Sequence, residues 1–243
     1  MLRLKRFAAI FFCVSALWPF LTLAQQTAWI DSATSQYIAG CRRYDRLLLE
    51  KTGDLITRQT GPERGSAKAT LLLGLIYWQL EAIGNCVDDD AAVEHWGVMA
   101  IDALNEAEKA NADPYLVASH KALASQLLAG LGMLKAMKYG PMSQDELKKA
   151  QKANPKGYFT LLDDAVNTSR APVFAGGDLK KAIVMLEQMA KDFPDSVEVR
   201  IHLADAYIRV GKREEARAII IPIVQGNPSD LFAAKVASRV KEK

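Results

Sequence analysis

The stretch Val197–Asp230, VEVRIHLADAYIRVGKREEARAIIIPIVQGNPSD, decides the fold. Leu203, Ala204 and Tyr207 recur at helical spacing in its first half, Ala216 and Ile220 in its second, with Gly211 between and Pro228 at the end. Small residues at Ala204 and Ala216 let two helices approach closely, Tyr207 fills the gap beside them, and Pro228 stops the second helix because it cannot continue the hydrogen-bond ladder. Stepping back by about 34 residues pairs Gly211 with Gly177, Ala216 with Ala182, Ile220 with Leu186 and Pro228 with Pro194. Each such hairpin has an apolar face that it cannot bury alone, so copies must stack.

Arg200, Leu203, Ala204, Tyr207, Ala216, Ile220 and Pro228 fall on the spacing of the tetratricopeptide repeat, which this stretch resembles, with Arg at the Trp position and Ile at the Phe position. The resemblance implies an all-α protein: a right-handed α-solenoid of antiparallel helix pairs. Its most regular repeat is 197–230, with a partial repeat at 158–196, a degenerate one at 66–113, irregular N-terminal hairpins and a C-terminal cap helix. No Gly/Ser-rich or Pro-rich linker divides 25–243, so a single domain is expected there.

Met1–Ala24 has the features of a secretory signal peptide: basic Arg3, Lys5 and Arg6, an apolar run Phe7–Leu23, and small residues before Gln25. An uncleaved anchor is the alternative, because the run is near the lower limit of spanning length. With cleavage, the protein is expected to be periplasmic or secreted, with no membrane span left. The formal charge of +3 comes from 31 basic and 28 acidic residues, and the three bases of the leader account for all of it. A neutral remainder gives nucleic-acid binding no electrostatic support. Cys41 and Cys86 survive cleavage, and two readings stand: a disulfide, or two buried thiols packed as small apolar residues.

Along the chain, Ala28–Thr52 reads as one helix, with Gly53-Asp54 as a candidate break and Gly61-Pro62 as the end of the region. Leu73-Gly74-x2-Tyr77 matches the core of a repeat's first helix, and Ala100, Leu104 and Ala107 match its partner, with about fourteen extra residues between. Asp88-Asp89-Asp90 fits helix capping better than calcium binding, which would need a different ligand spacing. Asp113-Pro114 opens a helix that is expected to run to Tyr139 and stop at Gly140-Pro141, with Gly130 and Gly132 marking a close approach of another backbone or of a ligand. Ser143-x-x-Glu146 reads as a capping box for a short following helix. About eight residues are inserted at Val166–Ala175 relative to the regular unit. They form either a binding loop at the lip of the groove, presenting Asn167, Arg170 and Phe174, or a plain continuation of the helix through Arg170.

Catalytic, metal and cofactor signatures do not emerge, so a non-enzymatic protein without cofactor is expected. His95, His120 and His202 lack zinc-site spacing, and the adjacent acids Asp163 and Asp164 point to different sides of a helix. The expected activity is binding of a protein or peptide partner on the concave face, through Glu198, Ile201, His202, Asp205 and Arg209. Asn154-Pro155-x-Gly157-Tyr158-Phe159 and Ala171-Pro172-x-Phe174-x-Gly176-Gly177-Asp178 resemble exported bacterial repeat proteins, among them the T components associated with TRAP-type solute transporters. That resemblance implies a periplasmic protein that contacts a solute-binding protein or carries a small ligand. An enclosed pocket would favour carriage, an open groove a scaffold.

Overall fold

The structure, a computed structural model, describes residues 28–60, 66–173 and 176–241. Among these residues the chain forms eleven helices: α1 (residues 28–43), α2 (Arg46–Thr60), α3 (Ala67–Cys86), α4 (Asp90–Lys109), α5 (Pro114–Ala129), α6 (Met133–Ala153), α7 (Tyr158–Arg170), α8 (Leu179–Asp192), α9 (Val197–Arg209), α10 (Arg213–Gly226) and α11 (Leu231–Lys241). Neighbours in sequence pack as hairpins, and α3, α5, α7, α9 and α11 also touch one another in succession. The first helices of the hairpins therefore form one continuous layer of a helical solenoid and the second helices the other. None of the described helices is long and apolar enough to cross a membrane. Met1–Ala24, the expected signal peptide, and Gly61-Pro62 lie outside the described residues.

Local chemistry sets the helix starts. Ser66, Asp89, Asp113, Asp178 and Ser196 each accept a backbone N–H of the following first turn, which satisfies a donor that has no partner inside the helix. Between the layers, Leu162, Leu186, Val199 and Leu203 pack into one buried cluster from α7, α8 and α9, and each contributes about 1.5–3 kcal/mol of burial.

Three expectations about the chain's path are corrected. The N-terminal break falls at Tyr44-Asp45, not at Gly53, because Asp45 Oδ1 accepts the Leu48 N–H (2.9 Å) and starts a new helix. Gly53 stays inside α2, where a Cβ would sit 3.4 Å from the Tyr77 ring. The helix from Pro114 ends at Ala129, since Gly132 has φ +135°, a conformation that suits glycine and turns the chain into α6. Gly130 and Gly132 are thus the turn, with no foreign backbone against them. Helix α6 then runs through Gly140-Pro141. The acceptor freed by the proline belongs to exposed Met137, where water can replace the missing donor. Ser143 consequently lies buried inside α6 and caps nothing, while Glu146 binds Lys149 (2.9 Å) and the buried Lys121 (3.1 Å).

The extra residues of the degenerate repeat make no loop. They lengthen α3 and α4 to 20 residues each.

Candidate functional site

The last helix closes the solenoid on its own beginning. Lys235 Nζ on α11 donates to the Asn85 carbonyl and to Asp88 Oδ1, both at 2.6 Å. Leu231 packs on the N-terminal core, and the Tyr44 hydroxyl bonds Asp230. Because the ends meet, the layer of first helices wraps a cavity of about 950 Å³. Tyr37, Trp78, Leu123, Leu162, Ile201 and Phe232 line it, one from each of the six odd-numbered helices.

The lining residues recur at intervals of four. Trp78, Ala82 and Cys86 on α3 form one such row, and Tyr158, Leu162, Val166 and Arg170 on α7 another. Residues four apart lie above one another on a helix, so each row is one inward-facing stripe.

Polar groups on this wall are mostly engaged with each other. The Tyr158 hydroxyl donates to Glu198 Oε2 (2.9 Å). Burial raises the Glu198 carboxyl above the usual carboxylate range, and the Tyr158 bond opposes that rise. Asp230 Oδ1 accepts the Ala233 N–H (2.9 Å) as the cap of α11. Burial, helped by Arg170, lowers His202 to about 3, and its ring meets Phe232 edge-on at 4.8 Å. The imidazole is therefore neutral across the physiological range. Trp78 and Phe159 on the wall meet the buried His120 edge-on at 4.9 and 4.5 Å, a series that joins α3, α5 and α7.

Arg170 differs from these residues. Its side chain is largely uncovered, yet burial holds its guanidinium below the ordinary value, because the open space it faces is the interior of the ring. None of the described residues accepts a hydrogen bond from it. Arg209 and Arg239 add positive charge nearby, and Asp205 partly offsets it. A second donor without a partner, Trp78 Nε1, is buried in the same lining.

Of the residues expected to bind a partner, Arg170, Glu198, Ile201 and His202 come together on the cavity wall. Asn167, Asp205 and Arg209 instead tie helices to one another. Asn167 accepts from Gln126 Nε2 (2.5 Å) and donates to Asp163 Oδ1 (3.4 Å). Asp205 is ion-paired with Arg239 of α11, and Arg209 donates to Ser169 Oγ (2.7 Å) on α7. Phe174 lies outside the described residues. The expected loop at Val166–Ala175 is in large part helix: α7 continues through Arg170, and Val166 is buried.

Cys41 and Cys86 stand as two separate thiols in this structure, the second of the two readings. Both face the cavity but belong to different surroundings: Cys41 pairs with Tyr37, whereas Lys235, Asp230, Asp88 and Arg170 act on Cys86. Sequence reasoning does not single out Tyr37, Trp78 or Tyr158 as wall residues. The four-residue rows would have found Trp78 and Tyr158, but only with the inward direction of each helix known.

Stacked helical hairpins around a concave layer define a repeat solenoid. Residues 173–238 match the tetratricopeptide repeat model, so the C-terminal hairpins carry that repeat. The fold as a whole is similar to the crystal structure of a thermophilic tetratricopeptide-repeat protein of Thermus thermophilus, with a TM-score of 0.59, 17% identity, and coverage of 88% of this chain and 98% of that one. No curated protein matches the chain.

Proposed function

We propose that this protein is a non-enzymatic carrier that holds a small ligand in the cavity lined by the first helices of its solenoid. The observation behind this reading is the contact of α11 with α3, which turns a concave groove into a cavity of about 950 Å³. That volume lies toward the upper end of small-molecule sites, roughly 300–1,000 Å³, and its mixed apolar wall with a few polar groups is the usual composition of such sites. The signal-like leader Met1–Ala24 supports export to the periplasm. The likeness of Asn154–Asp178 to T components of TRAP-type systems supports delivery to or from a solute-binding protein.

A second reading, a scaffold for a protein or peptide partner, draws on the tetratricopeptide match at residues 173–238. Such repeats commonly hold partners on their concave layer, which in this chain faces the cavity. Native mass spectrometry of freshly purified protein separates the two. A carrier shows a non-covalent adduct of small-molecule mass that is lost on denaturation. Bare protein throughout, with a periplasmic protein co-purifying instead, would favour the scaffold.

A further inference from the structure

The cavity's charge pattern narrows its ligand. Arg170 presents five N–H donors in a rigid fork, and none of the described residues accepts from them. Its guanidinium faces the cavity with no acid of the described residues in an ion pair with it, so an anion entering the cavity would be its partner. Asp205, the nearest acid acting on it, is already committed to Arg239. The acids on the wall are committed as well, Glu198 to Tyr158 and Asp230 to Tyr44 and the α11 cap. They leave Arg170 free, while their own charge disfavours a ligand carrying more than one negative charge. The rest of the lining offers apolar surface from Leu123, Leu162 and Ile201 and one spare indole donor at Trp78.

Resting on the carrier reading, we propose that the cavity takes a small amphiphilic monocarboxylate, with its head group in the fork of Arg170 and its apolar body against Leu123, Leu162 and Ile201. A planar carboxylate matches the guanidinium with two parallel bonds, a geometry that lysine cannot reproduce. An uncharged ligand of the same shape would leave the cation unpaired.

Calorimetric titration with decanoate and with decan-1-ol tests this, because the two probes share a chain and differ in the head group. The full-length protein without its leader is expected to bind decanoate at least about tenfold more tightly, and Arg170→Met should abolish that preference, weakening decanoate while decan-1-ol binds at least as tightly as to the parent. Retained alcohol binding also shows that the variant is folded. Should Arg170→Met fail to fold, Arg170→Lys takes its place and is expected to weaken decanoate alone. Equal binding of both probes by the parent, or a preference that survives the substitution, overturns the Arg170 site and leaves the carrier reading standing. If neither probe binds, or both bind equally well to the cavity-filling variant Ala82→Phe, the carrier reading fails and this inference with it.

Discussion

Lys235 Nζ lies 2.6 Å from the Asn85 carbonyl oxygen, and this one ammonium joins the last helix to the end of α3 across 150 residues of chain. The same ammonium reaches Asp88, whose side chain is largely exposed, so the ion pair is screened and its share is small. The carbonyl bond matters more, since it fixes where α11 docks and hence whether the cavity is closed. Lys235→Ala is expected to cost about 1 kcal/mol of stability and to speed hydrogen exchange of the α11 amides selectively. Unchanged exchange in α11 would mean that the apolar contacts of Leu231 alone hold the ring shut.

Gly74 is a point of close approach between α3 and α4. A Cβ there would fall 2.7 Å from Leu104 Cδ2 and 3.4 Å from the Leu104 backbone nitrogen, and Leu104 is fully buried. Gly74→Ala should therefore destabilise by about 1–3 kcal/mol through overpacking, outweighing the better helix propensity of alanine. A urea midpoint equal to or above the parent's would contradict this.

Burial, with a smaller push from Asp164, raises Asp163 from 3.8 to about 8. The unfolded chain gives up this proton near pH 4 while the folded chain keeps it to about pH 8, so stability falls as pH rises through that window. Asp163→Asn removes the penalty, and the variant should gain over the parent progressively between those pH values, by an amount on the order of 1–3 kcal/mol at pH 8. His120 acts in the opposite sense. Burial lowers it to about 4, so its contribution is intact above about pH 6.5 and is lost as pH falls toward 4. Only the difference between variant and parent isolates Asp163, and a pH-independent difference would refute the assignment.

Burial raises both Cys41 and Cys86 to about 11. At pH 8 each is almost wholly thiol, which is the unreactive form. Iodoacetamide should modify the folded protein slowly, with rates that climb toward pH 11, and should modify unfolded protein rapidly. In chain lacking the leader, titration of unfolded, unreduced protein is expected to find two thiols. Finding none would restore the disulfide.

The parts of the fold legible in the sequence are those written in local chemistry. Asp113-Pro114, Asp178 and Ser196 announce helix starts whatever surrounds them, and the 34-residue spacing of Gly177 and Gly211 marks two equivalent turns. Misreadings arose where tertiary packing overrode a local signal. Gly53 looks like a breaker but is tolerated because the Tyr77 ring fills the space beside it, and Pro141 is tolerated because the acceptor it frees lies near the surface.

By itself, then, the sequence determined that this chain is a stack of helical hairpins, since periodicity, caps and turns are properties of neighbours a few residues apart. It also marked Glu198, Ile201, His202, Asp205 and Arg209 as one face of a helix, of which the first three line the cavity. Whether that side is a groove or an enclosure was decided only by tertiary structure. Closure depends on the small rotation between successive hairpins, summed until Lys235 reaches Asn85. Each rotation follows from side-chain packing that no local pattern records, so the same repeats with slightly different contacts would leave the ring open and Arg170 in bulk water.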